Sequence, residues 1–340
     1  MAELVYSREQ LLTDHPYARP HEEIGYALHG GYLEDGSYHS PKCLFREPAV
    51  NAWQEQLTAR DWPLIDASQE MLKRATFPNL DQMVLLLKHG MGAPFWNGLT
   101  ITGVTEARGK ALCEFDPPNW QDVIVEDISE TCTGHLHKGL MYAHGADEGG
   151  DPDIPEKGAH DAMWFAARDM VFGKAAYPIP EVPDIVSRPQ EGPLFPMLPE
   201  TNSGVLAILM NVLMIELRTE AFFAFCCSMF RHPETFLDVK DKAELAAKIV
   251  ERIRIDEGIH VGYLVTTISE MRSFTFKLND GSTKAGHEII DPIWASLVEW
   301  HGVTVFEESE KRSYEDLKSK ILAHENGEAL LAEFDKLATN

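Results

Sequence analysis

An all-α helix bundle is the fold this sequence predicts. Three observations predict it. Apolar residues recur at helical spacing through most of the chain beyond residue 60, proline and glycine clusters cut those stretches into helix-sized lengths, and strand-like alternation is nearly absent. Residues 1–60 hold several His, Gly and Pro without a sustained period, and read as an irregular N-terminal extension on a single helical domain spanning 61–340. Trp62–Thr76 is the first predicted helix, closed by Pro78. Asn79 is a natural N-cap for Leu80–Gly90, where Met83, Val84, Leu86 and Leu87 face inward. Pro94 opens a third helix to about Leu112. After Pro117 and Pro118, Asn119–Ala143 reads as a longer helix, Gly145–Gly158 as a turn-rich loop, and His160–Phe172 as helix again. Tyr177–Glu200 carries seven prolines, so it is neither helix nor central strand. A loop of that length is expected to be a solvated linker or a lid over a pocket. Asn202 or Ser203 caps Val205–Phe230. Lys242–Arg272 is a second long helix. Asn279-Asp280-Gly281 predicts a small β-hairpin within 274–284, and helices resume from Pro292, ending in the amphipathic Tyr314–Ala338.

The bulk numbers narrow the partners. The chain has 340 residues, 44% hydrophobic and 25% charged, with a net charge of −24. So acidic a surface repels nucleic acid and anionic lipid. Five cysteines without a C-x-x-C pair fit a reduced, cytoplasmic setting, and the charged start MAELVYSREQ lacks an apolar signal segment. The longest apolar stretch, Val205–Ile215, is too short to span a bilayer.

Chemistry enters through acids in the wrong place. Val205–Phe230 is apolar on nearly every side, yet contains Glu216 and Glu220 four residues apart. An unpaired carboxylate in such surroundings costs several kcal/mol. Arg218 points roughly 160–200° away from both at 100° per residue. The next long helix carries Asp256-Glu257-Gly258-Ile259-His260. Glu257 and His260 share a stripe with Val250, Ile253, Val261 and Leu264, so an oxygen and an imidazole nitrogen can reach one metal ion. Thirty-six residues lie between Glu220 and Glu257. That length suits antiparallel helices with Glu220, Glu257 and His260 as metal ligands at one level. Glu216 falls one turn away and is assigned to catalysis, and Asp256 to supporting a ligand histidine. Glu220→Ala is therefore expected to be more damaging than Glu216→Ala.

A second metal needs ligands from another helix. On a helical Asn119–Ala143, Glu130 and His137 are two turns apart and about 20° apart on the wheel. They are the expected ligands, with Glu126 bordering the stripe as a supporting acid. His160 and Glu106 are alternative ligands, the plainer readings being a helix-end histidine and a surface acid.

The pattern Glu220, then Asp256-Glu257-x-x-His260, resembles the second half of ferritin-like di-iron oxygenases. The Glu130-x6-His137 spacing is instead similar to haem-oxygenase-like di-iron oxidases, although Ile253 stands where those often carry a further histidine. The resemblance covers about residues 120–265. It implies two iron ions, or an iron/manganese pair, with O₂ as co-substrate and a small organic substrate oxidised by hydroxylation, N-oxygenation, desaturation or C–C cleavage. An electron-donor protein and a homodimer are compatible partners. Phe222, Phe223, Phe225 and Trp164 either line an apolar pocket or belong to the core. Three rival readings stand beside this one: an iron-storage bundle, a hydrolase site built from His135, His137 and His144, and a metal-free protein whose buried acids pair with Arg218, Arg252 or Arg254.

Overall fold

A computed structural model describes residues 3–16, 21–72 and 76–338. The fold is all-α with two small antiparallel two-stranded sheets. In chain order the elements are α1 (Arg8–Leu11), β1 (His21–Glu23), β2 (Tyr26–Leu28), α2 (Cys43–Ala59), α3 (Leu80–Lys88), α4 (Ala93–Gly109), α5 (Leu140–Gly149), α6 (His160–Phe172), α7 (Glu200–Arg231), α8 (Lys240–Ser273), β3 (Thr275–Lys277), β4 (Thr283–Ala285), α9 (Gly286–Glu299), α10 (Val305–Leu322) and α11 (Gly327–Leu337). The predicted hairpin is β3–β4, with Phe276 opposite Lys284. Among the described residues no helix is long and apolar enough to cross a membrane.

The long helices α7 and α8 form the axis and share the most extensive helix–helix contact. They are antiparallel, as paired side chains along them show: Glu220 meets Arg254, Cys227 meets the Ala247 carbonyl, and Arg231 meets Glu244. Each is about 50 Å long at 1.5 Å per residue. Their apolar faces feed two separate cores. One takes α7 from Val205 to Leu217, α8 from Tyr263 to Met271, and α9. The other takes α7 from Phe223 to Phe230 and α8 from Ala243 to Ile253, with residues of α3, α4, α6 and α11. Between the two cores, at mid-height of both axial helices, lies a layer of buried acids and histidines. Phe222, Phe223, Phe225 and Trp164 belong to the second core: Phe222 stacks on Trp164 at 6.1 Å, and Phe223 packs on it at 4.9 Å.

The main departures from the sequence expectation lie before residue 160. The N-terminal region, of which 1–2 and 17–20 lie outside the described residues, contains α2. Pro48 signals a break, but Ala49, Val50, Trp53 and Leu57 make a buried stripe whose packing outweighs it. The expected helix at Trp62–Thr76, of which 73–75 lie outside the described residues, has no regular secondary structure among its described residues apart from one 3₁₀ turn at Gln69–Met71. The largest correction is Asn119–Ala143. Up to Gly139 it is not a helix but a looped segment with 3₁₀ turns at Trp120–Asp122 and Thr133–Lys138. Its short polar side chains satisfy the backbone locally: Asp127 accepts from the Ser129 N–H and Asn119 from the Gln121 N–H, while the Thr131 hydroxyl donates to the Ile128 carbonyl. Buried Glu270 accepts from the Cys132 and Thr133 N–H groups, and Ile124 bridges to Phe276. Gly139, at φ 113°, then turns the chain into α5.

Helix α5 occupies the start of the segment expected to be a loop. Its glycines do not break it; they let it lie against its neighbours. A Cβ on Gly145 would sit 2.8 Å from the Cys113 nitrogen, and one on Gly149 would sit 2.5 Å from the Ala107 carbonyl oxygen. That close approach aims His144 and Glu148 inward.

Candidate metal centre

Seven side chains from five helices converge in the polar layer: Glu106 on α4, His144 and Glu148 on α5, His160 on α6, Glu216 on α7, and Glu257 with His260 on α8. None is more than 8% exposed. They form two groups of four that share Glu148: His144, Glu148, Glu216 and His260, and Glu106, Glu148, His160 and Glu257. Within each group the potential ligand atoms all lie within 4.8 Å of one another.

The distances define a double site. Glu148 Oε1 lies 3.6 Å from His144 Nε2, 3.4 Å from His160 Nδ1 and 3.2 Å from His260 Nδ1. Glu257 divides its oxygens, Oε1 being 3.1 Å from His160 Nδ1 and Oε2 2.7 Å from His260 Nδ1. Glu216 Oε1 meets His144 Nε2 at 3.1 Å, and Glu106 Oε2 lies 3.5 Å from His160 Nδ1. The His144 and His260 rings stack with centroids 3.9 Å apart. Each group is thus a nest of oxygens and imidazole nitrogens, and two carboxylates face both.

The outward nitrogen of each imidazole is held by a fixed partner. His160 Nε2 lies 3.1 Å from Asp256, His260 Nε2 lies 3.2 Å from Asp147, and His144 Nδ1 lies 2.9 Å from the Tyr263 hydroxyl. A proton on each outward nitrogen leaves the inward lone pair available as a ligand. The supports are themselves anchored by the N-terminal region. Tyr38 donates to Asp256 at 2.9 Å, His29 lies 3.3 Å from it, and Arg46 donates to Asp147 at 2.6 Å.

Electrostatics separate these acids. Burial pushes Glu148 well above the usual carboxylate range, reinforced by Glu106 and Glu257. Burial and then Glu216 do the same to Glu257. Burial also opposes ionisation of Glu216, but the His144 and His260 imidazoles outweigh it and bring Glu216 down to about 2. His260 is disfavoured as a cation by burial, yet Asp147 and Glu148 raise it to about 9.

The residues fit a pair of metal ions. Glu106 Oε2, Glu148 Oε1, Glu257 Oε1 and His160 Nδ1 are buried without a hydrogen-bond partner, although such atoms are almost always satisfied. All four belong to one group and point at one another. Four carboxylates also balance the charge of two divalent cations, and an all-oxygen-and-imidazole donor set suits iron or manganese.

The structure brings Glu257, His260, Glu106 and His160 together, and redistributes the other expected site residues. Glu216 enters the cluster in place of Glu220, one turn along α7. The antiparallel register explains this: Glu220 sits at the level of Arg254, which grips both of its oxygens, each 3.0 Å from Nε. Glu130 and His137 are exposed and outside the cluster, because the helix that would have stacked them does not form. Glu126 is exposed and accepts from the Thr275 N–H at 2.8 Å. Asp256, expected to support a ligand histidine, lies against His160. His144, Glu148, Asp147, His29, Tyr38 and Tyr263 were not foreseen in these places. The rival triad does not assemble either: His135 accepts from the Tyr6 N–H, His137 is exposed, and His144 lies in the cluster.

Glu216→Ala should therefore lower bound metal by roughly half or more, while Glu220→Ala, Glu130→Ala and His137→Ala keep the wild-type content, since removing a ligand acts far more strongly than a distant change. Elemental analysis of the four purified variants checks this, and a larger loss in Glu220→Ala would return the ligand to the outer turn.

Beside the cluster lies a cavity of about 730 Å³ whose inner end is bordered by Glu106, His144, Glu148 and Glu216. Ile101, Ile208, Val212 and Ile215 make its walls apolar, and the proline-rich segment closes one side with Asp184–Gln190. Two arginines fasten that segment: Arg108 donates to the Pro183 and Asp184 carbonyls, and Arg218 donates to the Val186 carbonyl at 3.3 Å. The chain, compared with known proteins, matches no family model, no curated protein sequence and no solved structure.

Proposed function

We propose that the chain is an O₂-dependent oxidoreductase that holds two iron ions, or an iron/manganese pair, between α4, α5, α6, α7 and α8. The observation that carries this reading is the two four-residue groups sharing one buried carboxylate, with orphaned oxygens and an orphaned nitrogen turned toward one another in one of them. Glu106 and His160 would hold one ion, and His144, Glu216 and His260 the other. Glu148 and Glu257 would serve both. When bound, such a metal pair supplies two electrons together for the reduction of O₂.

The protein's own groups have distinct tasks. Asp256, Asp147 and Tyr263 keep the imidazole protons on the outward nitrogens. The apolar cavity walls admit a small organic molecule and O₂ and keep bulk water from the cluster. The segment at Asp184–Gln190 forms the outer wall and is positioned to admit or retain substrate. An iron-storage role draws less support, because a cavity of this size and apolar character beside the cluster suits a substrate. The metal-free reading accounts for Glu220, which Arg254 grips, but not for Glu216 and Glu257, because Arg252 donates to the His29 carbonyl and Arg218 faces the cavity.

Anaerobic loading with ferrous iron followed by exposure to O₂ tests the proposal. About two metal ions per chain are expected, the number such paired sites hold, together with an optical change that develops only when O₂ is added. Zinc as the sole bound metal, or iron binding without O₂ consumption, would overturn it.

A further inference from the structure

The cavity carries a second chemical signature, opposite in sign to the cluster. Arg218 lines it, yet among the described residues no carboxylate pairs with its guanidinium, which donates to the Val186 carbonyl. A buried imidazole, His301, feels the Arg218 charge. His301, fully buried, has no hydrogen-bond partner on either ring nitrogen. Burial, followed by the positive charges of Arg218 and Arg188, holds it at about 3. Arg188 is engaged with the Ser296 hydroxyl. An arginine left without an anion in a largely apolar setting is costly unless a ligand supplies the counter-charge.

Position on α7 gives this cation a direction. Glu216 and Arg218 are at nearly the same height but about 200° apart around the helix. Ile208, Val212 and Ile215 lie on the arc between them and face the cavity. A molecule resting on that arc has the acidic cluster at one edge and the guanidinium at the other. Its negative end is repelled from the first and drawn to the second.

We propose that the substrate is an organic carboxylate, with its carboxylate paired to Arg218 and its apolar body lying along Ile208, Val212 and Ile215 toward the cluster. The fork of the guanidinium matches a carboxylate in a two-point contact. The cavity volume of about 730 Å³ is ample for a medium-length chain or an aryl group. This inference names the substrate class for the oxidase reading and rests on it for the reaction, but not for the binding.

Titration calorimetry with octanoate and its neutral counterpart octanamide tests it, on the full chain both iron-loaded and iron-free. Wild type should prefer octanoate by about tenfold to a hundredfold, the range for a desolvated charge-assisted pair. Arg218→Met should erase the preference, and Arg218→Lys should retain part of it, with metal content unchanged in both. Equal affinity of wild type for acid and amide overturns the inference. So does a preference that survives in Arg218→Met, or one seen only with iron present, which would put the carboxylate on the metal. A chain that binds no metal yet shows the Arg218-dependent preference would defeat the oxidase reading alone.

Discussion

Glu148→Ala and Glu257→Ala are each expected to empty both metal positions, whereas Glu106→Ala leaves about one metal ion per chain, as expected for loss of a terminal rather than a shared ligand. The reasoning is geometric. Glu148 Oε1 lies within 3.6 Å of all three inward imidazole nitrogens, and Glu257 turns one oxygen to each group. Glu106 faces His160 alone among the imidazoles. Elemental analysis gives the stoichiometry, and circular dichroism confirms that the variants fold. Full metal content in Glu148→Ala would break the shared-ligand assignment.

The same position should behave in the opposite way when metal is withheld. In the folded, metal-free chain, burial and the neighbouring acids hold Glu148 well above its ordinary range. The folded state therefore binds a proton that the unfolded state releases, so this group stabilises the fold at low pH. Its contribution is lost as pH rises past the ordinary carboxylate range toward the raised value. Glu148→Gln removes that penalty. At neutral pH the metal-free variant should melt on the order of a few degrees higher than metal-free wild type, while losing the metal-dependent stabilisation that wild type gains. A functional site that opposes stability in this way is a common compromise.

Much of the architecture was legible because the axial helices are long and strongly patterned. α7 and α8, the hairpin at Asn279-Asp280-Gly281 and the stripe holding Glu257 and His260 all follow from periodicity and turn chemistry. The missing half of the cluster has a specific cause. Gly145, Gly149 and Gly150 look like chain breakers, so the segment bearing Glu148 reads as a loop, whereas the first two are small because α5 lies directly against Cys113 and Ala107. Conversely, Glu130 and His137 suggest one continuous helical stripe through a region whose Ser, Thr and Asp side chains divert the backbone into turns. Glu106 did leave a usable signal. It continues the buried series Phe95, Leu99 and Gly103 along α4, and an acid on such a stripe needs a partner. His160 likewise begins the stripe of Met163, Trp164, Ala167 and Met170. The one-turn error between Glu220 and Glu216 reflects connector length, which bounds the antiparallel register without setting it.

Arg46→Met is expected to cause the largest loss of stability of any single substitution around the centre, about 3–5 kcal/mol, the usual cost of removing one partner from a buried ion pair. Arg46 is 1% exposed and Asp147 is 2% exposed. Arg46 Nη2 donates to Asp147 at 2.6 Å, and Nε donates to the Lys42 carbonyl at 2.7 Å. Burial alone would keep Asp147 protonated. The Arg46 charge, followed by the His260 imidazole, drives it well below the carboxylate range. With methionine at position 46, Asp147 either remains ionised beside His260 alone or takes up a proton and no longer fixes the His260 tautomer. The first outcome weakens the fold, and the second lowers metal affinity by about tenfold to a hundredfold. Adding Asp147→Asn should recover part of the stability and none of the metal affinity, because the buried charge goes but the orienting carboxylate goes with it. Urea denaturation of the metal-free proteins and metal competition on the loaded ones measure the two effects separately. If Arg46→Met unfolds within about 1 kcal/mol of wild type, a value typical of an exposed pair, then α2 does not anchor the centre electrostatically and its contribution is packing alone.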